Sequence, residues 1–363
     1  MIRFLDHYRA DSLNGANKRG RQAAMDNVAR DIAPVMAPDN PVERLALLAG
    51  DDLTAVDEVI HSRMLSEAAL IPQLARHLVD SGGKRLRPLI TLAAARQFAF
   101  SGNAHVKLAA AVEFIHTATL LHDDVVDEST LRRGRPAANM LWGNKPSILV
   151  GDFLFSRAFQ LMVEVGSPVV LAILANASAV IAEGEVLQLR LSRNLSIDEA
   201  QYLKVISAKT AALFSAAAEA GAFSAGAETR QTEAMRSYGY NLGIAFQLVD
   251  DALDYSGRQA VMGKSVGDDF REAKMTLPVI LSLARAGEEE RRFWRKTIEL
   301  GIQEEGDLSR AIELLERGGS LAETIDRARG YARAAQDSLH ACPDSAIRSA
   351  LGDLAGFVVD RVY

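Results

Sequence analysis

Four long segments of the sequence carry apolar residues around most of a helical circumference, at 104–128, 146–165, 168–192 and 228–255. Apolar residues recur there at three- and four-residue steps, whereas alternating strand patterns flanked by hairpin turns are almost absent from the chain. A helix that is apolar on most sides must be covered by other helices on most sides. We therefore predict an all-α protein, in which the central helices of one large bundle are surrounded by outer helices.

The chain has 363 residues and shows no Pro- or Ser-rich linker that would divide this bundle. The first 24 residues contain five Lys or Arg and no apolar stretch of signal-peptide length. We expect residues 1–24 to form a flexible basic extension and residues 25–363 to form a single all-helical domain. Met25 could equally be the native start, so the origin of the residues before it stays open.

Two local patterns add detail to the bundle. Ser196 and Glu199 have the spacing of a capping box, which predicts a helix from that point through about Ala222. The longest apolar stretch, Val169 to Ala182, is too short and carries too many polar residues to span a bilayer. It is expected to form a buried helix.

The charge balance and the cysteine count limit the possible partners. The formal net charge is −6 and the chain contains one cysteine, Cys342. An acidic balance gives no general attraction for nucleic acid or anionic lipid, so an anionic ligand needs a local basic cluster. One cysteine excludes an intramolecular disulfide and fits a reducing cytosol. We expect a cytoplasmic protein that binds no nucleic acid.

Two Asp-Asp-x-x-Asp motifs each close one of the long apolar segments. The first motif consists of Asp123, Asp124 and Asp127, and the second consists of Asp250, Asp251 and Asp254. In each motif the first and last aspartates lie four residues apart and face the same way on a helix. Ser129 and Gly257 indicate that both motifs lie near helix C-termini, where like charges and the helix dipole are unfavourable.

A pattern that costs stability twice in the same way indicates function. Hard oxygen ligands without His or Cys partners favour Mg²⁺, which binds through one or two carboxylates and shares phosphate oxygens with a substrate. A solvated acidic helix end could explain one such motif, but it explains the pair poorly. The two motifs together predict a magnesium site that binds a diphosphate.

Basic residues that could neutralise such a ligand occur in two glycine-containing loops. The loop 82–88, GGKRLRP, leads into a helix, and the loop 131–136, LRRGRP, follows the first acidic motif. Their guanidinium groups could hold phosphate oxygens bidentately. Lys209-Thr210 and Lys264 are further candidates, although each charged residue alone is typical of a solvated surface.

The ordered set of motifs resembles the trans-polyprenyl diphosphate synthase family, and within it the long-chain octaprenyl, solanesyl and decaprenyl enzymes of ubiquinone side-chain synthesis. The resemblance runs from about Ala49 to the C-terminus. It rests on GGKRLRP at 82–88, EFIHTATLLHDDVVDESTLRRG at 113–134, GNKPSILVGDFLFSRAF at 143–159, IAEGEVLQL at 181–189, AKTAALF at 208–214 and FQLVDDALDYSG at 246–257. It implies elongation of an allylic diphosphate, such as farnesyl diphosphate, by repeated trans condensation with isopentenyl diphosphate.

The resemblance also implies roles for the residues at matching positions. Isopentenyl diphosphate would be held by Lys84, Arg87, His116 and Arg133. The allylic diphosphate would be held by Arg132, Lys209, Thr210, Gln247, Lys264 and Lys274. Up to three Mg²⁺ would be bound directly by Asp123, Asp127 and Asp250, and directly or through water by Asp124, Asp251 and Asp254. The six aspartates, Lys209 and Lys264 are the candidate catalytic residues. One departure is Ala273, where the family often has glycine.

Three polar residues allow a second interpretation. His116 lies on an apolar helix, where a histidine is commonly a core residue, but the family match favours substrate binding. His122 beside Asp123 is compatible with a His-Asp metal phosphohydrolase, which would leave the second acidic motif and the basic set unexplained. Asp152 lies within an apolar segment and is expected to need a buried partner, which favours a structural role.

The implied chemistry begins with ionisation of the allylic diphosphate, so the metals and cations must stabilise charge on the departing group. The alkene of isopentenyl diphosphate attacks the allylic cation and a proton then leaves, without a protein nucleophile. An apolar or aromatic wall would shield the cation from water. On the helix that ends in the first motif, four residues are expected to line the product channel: Thr119, Ala118, Ile115 and Val112.

Product length stays open between about C40 and C50, because it depends on channel depth as well as on Ala118. A shorter-chain synthase and a terpene cyclase are alternatives, although a cyclase has no need for the isopentenyl set. A non-catalytic scaffold subunit would be expected to have degraded acidic motifs. From the resemblance we also expect a homodimer formed through helices next to the site, and transient membrane association during release of the apolar product.

Replacing Ala118 with Phe is expected to shorten the product, because the larger side chain would block the channel just below the first acidic motif. Chromatography of the dephosphorylated products of the purified parent and variant checks this prediction. Tight helix packing is the alternative role of Ala118, and unchanged product lengths would contradict the channel assignment.

Overall fold

The computed structural model describes residues 40–80, 85–100, 102–132, 134–256 and 266–360. The first helices are α1 (Pro41–Ala49), α2 (Asp52–Arg63), α3 (Leu70–Asp80), α4 (Leu86–Gln97) and α5 (Ala104–Val126). After a ribbon of two short antiparallel strands, β1 (Leu131–Arg132) and β2 (Arg135–Pro136), follow α6 (Ala138–Trp142), α7 (Asn144–Val165), α8 (Pro168–Leu191) and α9 (Glu199–Ile206). A π-helical turn (Ser207–Ala211) joins α9 to α10 (Ala212–Ser224), which precedes α11 (Thr229–Asp254).

The remaining helices are α12 (Asp268–Arg271), α13 (Leu277–Arg285), α14 (Glu288–Trp294), a second π turn (Arg295–Glu299), α15 (Asp307–Arg317), α16 (Ser320–Ser338), a 3₁₀ turn (Leu339–Ala341) and α17 (Ala346–Asp360). The residues from Asn40 onward form one compact unit. The all-α prediction is therefore confirmed, with the short ribbon as an addition. The predicted extension 1–24 and Met25 lie outside the described residues, so that boundary stays a prediction.

Helices α4, α5 and α10 occupy the core of the bundle. Helix α5 packs against α4, α7 and α10, and α10 also contacts α8 and α11. Large side chains on these central helices, such as Phe114, Ile115 and Phe214, are at most 1% exposed. Their burial on most sides explains why the sequence of these helices has no wide polar face. The acidic ends of α5 and α11 are therefore held on a rigid apolar base.

The long helices fall within two residues of the predicted segments, but one predicted cap is wrong. Asp198, and not Ser196, caps α9, because its carboxylate accepts from the backbone N–H of Gln201. The Gln201 side chain accepts in return from the Asp198 N–H. The Ser196 hydroxyl instead donates to Asn194. The capping box exists two residues later than expected, and the helix it starts changes to a π turn before it continues as α10.

Helix α8 differs from the expectation of a buried helix. One face, including Val170, Leu174 and Ile181, is buried, whereas Val169 and Val186 are about half exposed, at 48% and 59%. Within the described part of the chain, α8 is the one helix long and apolar enough to cross a membrane by length and composition, and 33% of its most apolar stretch is buried. The prediction of burial is therefore correct for one face only.

Two glycines allow α11 to approach the π turn and α10 closely. A Cβ atom on Gly239 would lie 2.3 Å from the carbonyl oxygen of Phe214, and one on Gly243 would lie 2.6 Å from the Cα atom of Ala211. Neither backbone atom can move aside without shifting a helix. These contacts fix the distance from the π turn, which carries Lys209 and Thr210, to the second acidic motif on α11.

Replacing Gly239 with Ala is expected to destabilise the protein by about 1–3 kcal/mol, because the added methyl group must push α10 and α11 apart. Thermal unfolding measures the effect. The matched control is Gly330→Ala in α16, where nothing lies within 4 Å of the added Cβ atom. This control should be neutral or more stable by up to about 1 kcal/mol, because Ala is the better helix former. Equal melting temperatures for the two variants would contradict the close-packing account.

Candidate functional site

The two acidic motifs occupy the C-terminal ends of α5 and α11, as the sequence predicts. Asp123 and Asp124 lie in the last turn of α5 and Asp127 caps it, while the whole second motif lies in the last turns of α11. The side chains of Asp123 and Asp127 are 14% and 18% exposed. The middle aspartate of each motif, Asp124 or Asp251, is buried. Asp254 of the second motif is buried as well, so the first motif has one buried carboxylate and the second has two.

The buried aspartate of the first motif is held by an arginine from the ribbon. Nε and Nη2 of Arg132 both donate to Oδ1 of Asp124, at 2.8 and 2.5 Å. Asn139 on α6 donates to the backbone carbonyl oxygens of Asp124 and Ser129. Burial raises the pKa of Asp124, and the Arg132 guanidinium opposes that rise. These contacts fasten the loop after α5 to the end of the helix.

The buried aspartate of the second motif accepts two side-chain hydrogen bonds. Gln247 Nε2 donates to Oδ1 of Asp251 at 2.7 Å, and Tyr202 Oη donates to Oδ2 at 2.5 Å. Burial raises the pKa of Asp251 to about 7, against the effect of both hydrogen bonds. Thr210 extends the contacts by donating to Oε1 of Gln247 at 2.8 Å. The predicted ligands Thr210 and Gln247 are thus neighbours in the structure.

The segment after α11 folds back over the second motif. The backbone N–H groups of Gly267 and Asp269 donate to the carbonyl oxygen and the carboxylate of Asp254, respectively. Burial raises the pKa of Asp254 to about 6. Ala273, at the position where a glycine was expected, adopts the left-handed conformation with φ of 52°. The backbone therefore keeps a conformation that favours glycine, and Lys274 extends toward the first motif.

Two lysines connect the parts of the site. Lys274 Nζ lies 3.1 Å from Oδ2 of Asp127, so the loop that follows the second motif contacts the first motif. Lys209 Nζ lies 2.7 Å from Oε2 of Glu185 and 3.7 Å from Oδ2 of Asp123. Burial lowers the pKa of Lys274, but nearby carboxylates more than offset this effect, so its pKa lies above the ordinary value. The Lys274 ammonium group therefore stays charged among the carboxylates.

A cavity of about 610 Å³ lies between the ends of α5, α8, α9 and α11. Its lining includes Asp127, Lys209, Thr210, Gln247, Asp251 and Lys274. Arg193 and Arg271 add positive charge to its wall. This cavity collects the predicted allylic-diphosphate residues of the described chain, apart from Arg132, which holds the neighbouring Asp124.

A second basic group forms between α4, α5 and α10. Arg87 Nη1 lies 3.1 Å from Nε2 of His116, and the Arg87 guanidinium stacks 4.3 Å from the ring centroid of Phe214. The Phe214 ring also packs on Phe246, which precedes the second motif. Arg85, from the same basic loop, is instead bound to Glu113. Lys84, Arg133 and Lys264 lie outside the described residues, so their predicted roles stay predictions.

The four predicted channel residues lie on α5 below Asp123. Val112, Ile115 and Ala118 are completely buried in the main core, and Thr119 is half-buried with its hydroxyl bonded to the His116 carbonyl oxygen. Phe214 and Phe246 pack on each other near Arg87, and whether aromatic side chains shield a cation there stays a prediction. Whether a channel opens along these α5 residues stays a prediction.

The sequence interpretation missed Glu185, Tyr202 and Asp269. Burial first, and then the charge of Asp123, raise the pKa of Glu185 to about 7, while Lys209 opposes the rise. Burial and the charge of Asp254 raise the pKa of Asp269 well above its ordinary value. Glu185 lies within the motif at 181–189, and Asp269 lies in a Gly-Asp-Asp sequence, so both had a local signal. Tyr202 had none.

The predicted burial of Asp152 needs correction, and His122 beside it has a structural contact. Asp152 is not buried, since its side chain is 63% exposed and lies 3.4 Å from His122. His122 Nε2 is also 3.2 Å from the carbonyl oxygen of Ile148, so it contacts α7. A Cβ atom on Gly151 would lie 2.3 Å from this ring, so α5 and α7 meet closely here. This position does not support a role for His122 in a metal phosphohydrolase site.

The oxygen-rich donors of the site fit Mg²⁺ better than a soft metal. Over the described ranges, however, no three His, Cys, Asp or Glu side chains converge closely enough to hold a metal ion by themselves. An ion bound by one or two carboxylates would need its other ligands from water or from a substrate. The geometry therefore fits metals that bind together with a diphosphate.

Comparisons with known proteins agree with this geometry. A family model described as polyprenyl synthetase matches residues 68–315. The octaprenyl diphosphate synthase of Escherichia coli is 44% identical over 320 residues, which cover 88% of this chain and 99% of that protein. The octaprenyl diphosphate synthase of Haemophilus influenzae is 43% identical over 322 residues, which cover 89% of this chain and 98% of that protein.

Solved structures give the same result. A polyprenyl synthase from Caulobacter crescentus, complexed with calcium and isoprenyl diphosphate, has a TM-score of 0.86 and 56% identity and covers 88% of this chain and 98% of its own. A decaprenyl diphosphate synthase from Rhodobacter capsulatus has a TM-score of 0.84 and 55% identity and covers 89% of this chain and 99% of its own. The similarity extends over the whole helical unit.

Proposed function

The chain belongs to the polyprenyl synthetase family, and on this premise we propose that it is a long-chain trans-polyprenyl diphosphate synthase. It elongates an allylic diphosphate by repeated condensation with isopentenyl diphosphate to a product of the octaprenyl to decaprenyl class. The observation that carries this proposal is the 3.1 Å contact between Lys274 and Asp127, which joins the segment after the second acidic motif to the first motif. One site then holds both motifs and the cations between them.

Each of the two groups of substrate-binding residues binds one substrate. The allylic diphosphate is bound at the cavity beside the motifs, which four of its proposed ligands line. These ligands are Lys209, Thr210, Gln247 and Lys274, together with Arg132 and Lys264. Arg87 and His116, with Lys84 and Arg133, bind isopentenyl diphosphate. The 3.1 Å separation of Arg87 and His116 places two nitrogen groups where one anion can contact both.

Asp123, Asp127 and Asp250 are the proposed carboxylate ligands of up to three Mg²⁺. Bound magnesium would neutralise charge that develops on the diphosphate as it leaves. The C1–O bond of the allylic substrate breaks, the alkene of isopentenyl diphosphate forms the new C–C bond, and a proton passes to the departing diphosphate. Phe246, which is half-buried and packs on the buried Phe214, would contribute apolar surface that keeps water from the cation. The lysines hold the diphosphate where it can take the proton.

Replacing Asp123 or Asp250 with Ala should lower incorporation of labelled isopentenyl diphosphate at least about 100-fold, because charge on the departing group loses electrostatic stabilisation. Asp337→Ala, on an exposed position of α16, is the control and should keep parent activity. Circular dichroism establishes that the variants remain folded. Near-parent incorporation by either site variant would contradict the proposal that these aspartates bind magnesium. A parent protein that ionises the allylic substrate without consuming isopentenyl diphosphate would be a cyclase.

The outer faces of α7 and α8 are the proposed homodimer interface. Leu149 and Val163 on α7 are 66% and 63% exposed, and Val186 on α8 is 59% exposed. Apolar residues so numerous on two adjacent helices indicate a covered surface. A second copy fits better than lipid, because Asn176 and Glu183 lie on the same exposed side of α8.

Val163→Asp is expected to convert the dimer into monomer, because the new carboxylate would be buried without a partner in the interface. Sedimentation velocity measures the oligomeric state. The control is Ile302→Asp, since Ile302 is 51% exposed in the loop after the second π turn. A parent that sediments as a monomer would contradict the dimer, and so would a Val163→Asp variant that remains dimeric.

The remaining parts of the proposal follow from the product. A polyprenyl chain of this length suits the side chain of ubiquinone, and its apolar character requires contact with a membrane at release. The single cysteine of the chain fits a cytoplasmic enzyme.

A further inference from the structure

A chain of hydrogen bonds in the wall of the cavity connects α9 and the π turn to α11. Tyr202, which is 5% exposed, donates to Oδ2 of Asp251, and Gln247 donates to Oδ1 of the same carboxylate. Thr210 donates to the amide oxygen of Gln247. Both carboxylate oxygens of Asp251 are therefore occupied by protein donors.

The direction of these hydrogen bonds is set by Asp251. Asp251 Oδ1 accepts from the NH₂ group of Gln247, which leaves the amide oxygen of Gln247 to accept from Thr210. The Thr210 hydroxyl then has to donate to Gln247. One buried carboxylate thereby fixes the orientation of two side chains on the cavity wall, and Tyr202 is the donor on its other side.

The backbone positions of α9, the π turn and α11 bring Tyr202 and the other three residues of the hydrogen-bond chain together. Tyr202 and Thr210 lie on either side of the start of the π turn, and Gln247 and Asp251 lie one helical turn apart on α11. The close approach of Gly243 to Ala211 holds the two backbones together just beyond the Thr210–Gln247 contact. Tyr202 in α9 and Thr210 in the π turn each donate one hydrogen bond to α11.

We infer that Tyr202 is a positioning residue of the allylic-diphosphate site: its hydroxyl holds Asp251 so that Gln247, Thr210 and the adjoining Lys209 keep their places on the cavity wall. This inference rests on the proposed function for the identity of the ligand. It assigns Asp251 to support of the wall, and not to direct metal binding, because its two oxygens already accept from Tyr202 and Gln247.

The ring and the hydroxyl of Tyr202 can be separated experimentally. The ring belongs to an apolar cluster that includes Ile197, Ile206, Leu248 and Leu281. Tyr202→Phe keeps these contacts and removes the donor alone. Tyr238→Phe is the matched control, because Tyr238 is fully buried, lies on α11, and donates its hydroxyl to the carbonyl oxygen of Leu351 at 2.9 Å. Both variants lose one buried hydroxyl hydrogen bond.

The first measurement is binding of inorganic pyrophosphate in excess MgCl₂, by isothermal titration calorimetry. Tyr202→Phe should weaken binding about tenfold or more, the effect of losing one hydrogen bond to a charged group, while Tyr238→Phe should stay within about twofold of the parent. Both variants are expected to melt at lower temperature. Pyrophosphate affinities that fall equally in the two variants, or in neither, would overturn the inference.

Steady-state kinetics provide a second, independent measurement. Tyr202→Phe should raise KM for the allylic diphosphate about tenfold and leave KM for isopentenyl diphosphate within about twofold, since Arg87 and His116 lie in another group. A general loss of structure would raise both KM values and would count against a positioning role.

A double-mutant cycle with Asp251→Asn tests whether Tyr202 acts through Asp251. The effect of Tyr202→Phe on pyrophosphate affinity should largely disappear in the Asp251→Asn background, because the hydroxyl has lost its charged acceptor. If the two substitutions changed the pyrophosphate affinity by independent factors that multiply, Tyr202 would not act through Asp251. The proposed function and this inference can fail separately. If pyrophosphate binding depends on Tyr202 but the parent protein never consumes isopentenyl diphosphate, the proposed function is wrong and the positioning role of Tyr202 is still supported.

Discussion

Repulsion among carboxylates at two converging helix ends is the constraint on which the rest of the site depends. Asp123 and Asp127 lie at the C-terminal end of α5, and the second motif ends α11, so each group also meets the negative end of a helix dipole. The protein offsets this repulsion with ammonium groups, since Lys209 lies near Asp123 and Lys274 lies near Asp127. A diphosphate with its metal ions can enter such a site because fixed cations and accessible carboxylates are already in place.

The buried aspartates explain how this arrangement stays rigid. Asp124 fastens the ribbon after α5 through Arg132, and Asp251 orients Gln247, which accepts from Thr210 of the π turn. Only the first contact is an ion pair, and removing one partner of a buried ion pair costs about 3–5 kcal/mol. The middle aspartate of each motif is better explained as a support for neighbouring ligands than as a direct ligand itself. The half-buried Asp123, Asp127 and Asp250 are the proposed metal ligands.

Much of the fold could be predicted from the sequence because helical periodicity is strong in long apolar segments. The α5, α7, α8 and α11 boundaries fall within two residues of the expected ones. The outer face of α8 could not be predicted, because apolar periodicity does not distinguish a surface buried within one chain from a surface covered by a second chain. The short ribbon at 131–136 contains two residues per strand, too few for an alternating pattern.

The positions of the candidate site residues could be predicted where they belong to short motifs, since both aspartate clusters do end helices, and Arg87 and His116 do lie together. Tyr202 was not, because one tyrosine in an amphipathic helix has no local feature that distinguishes it from a core residue. Its role depends on a contact with Asp251, 49 residues away along the chain. Asp152 shows the opposite error, since its apolar neighbours in sequence suggested burial, whereas α7 directs it outward.

The most direct test of the account is the chain length of the product formed from farnesyl diphosphate, isopentenyl diphosphate and Mg²⁺. After dephosphorylation, chromatography should show all-trans polyprenols of about eight to ten isoprene units, because the two proposed substrate groups above an apolar core allow repeated condensation. The same mixture with excess chelator should yield none. Cyclic products, or release of diphosphate without any elongated chain, would contradict the central claim that this site condenses two prenyl substrates.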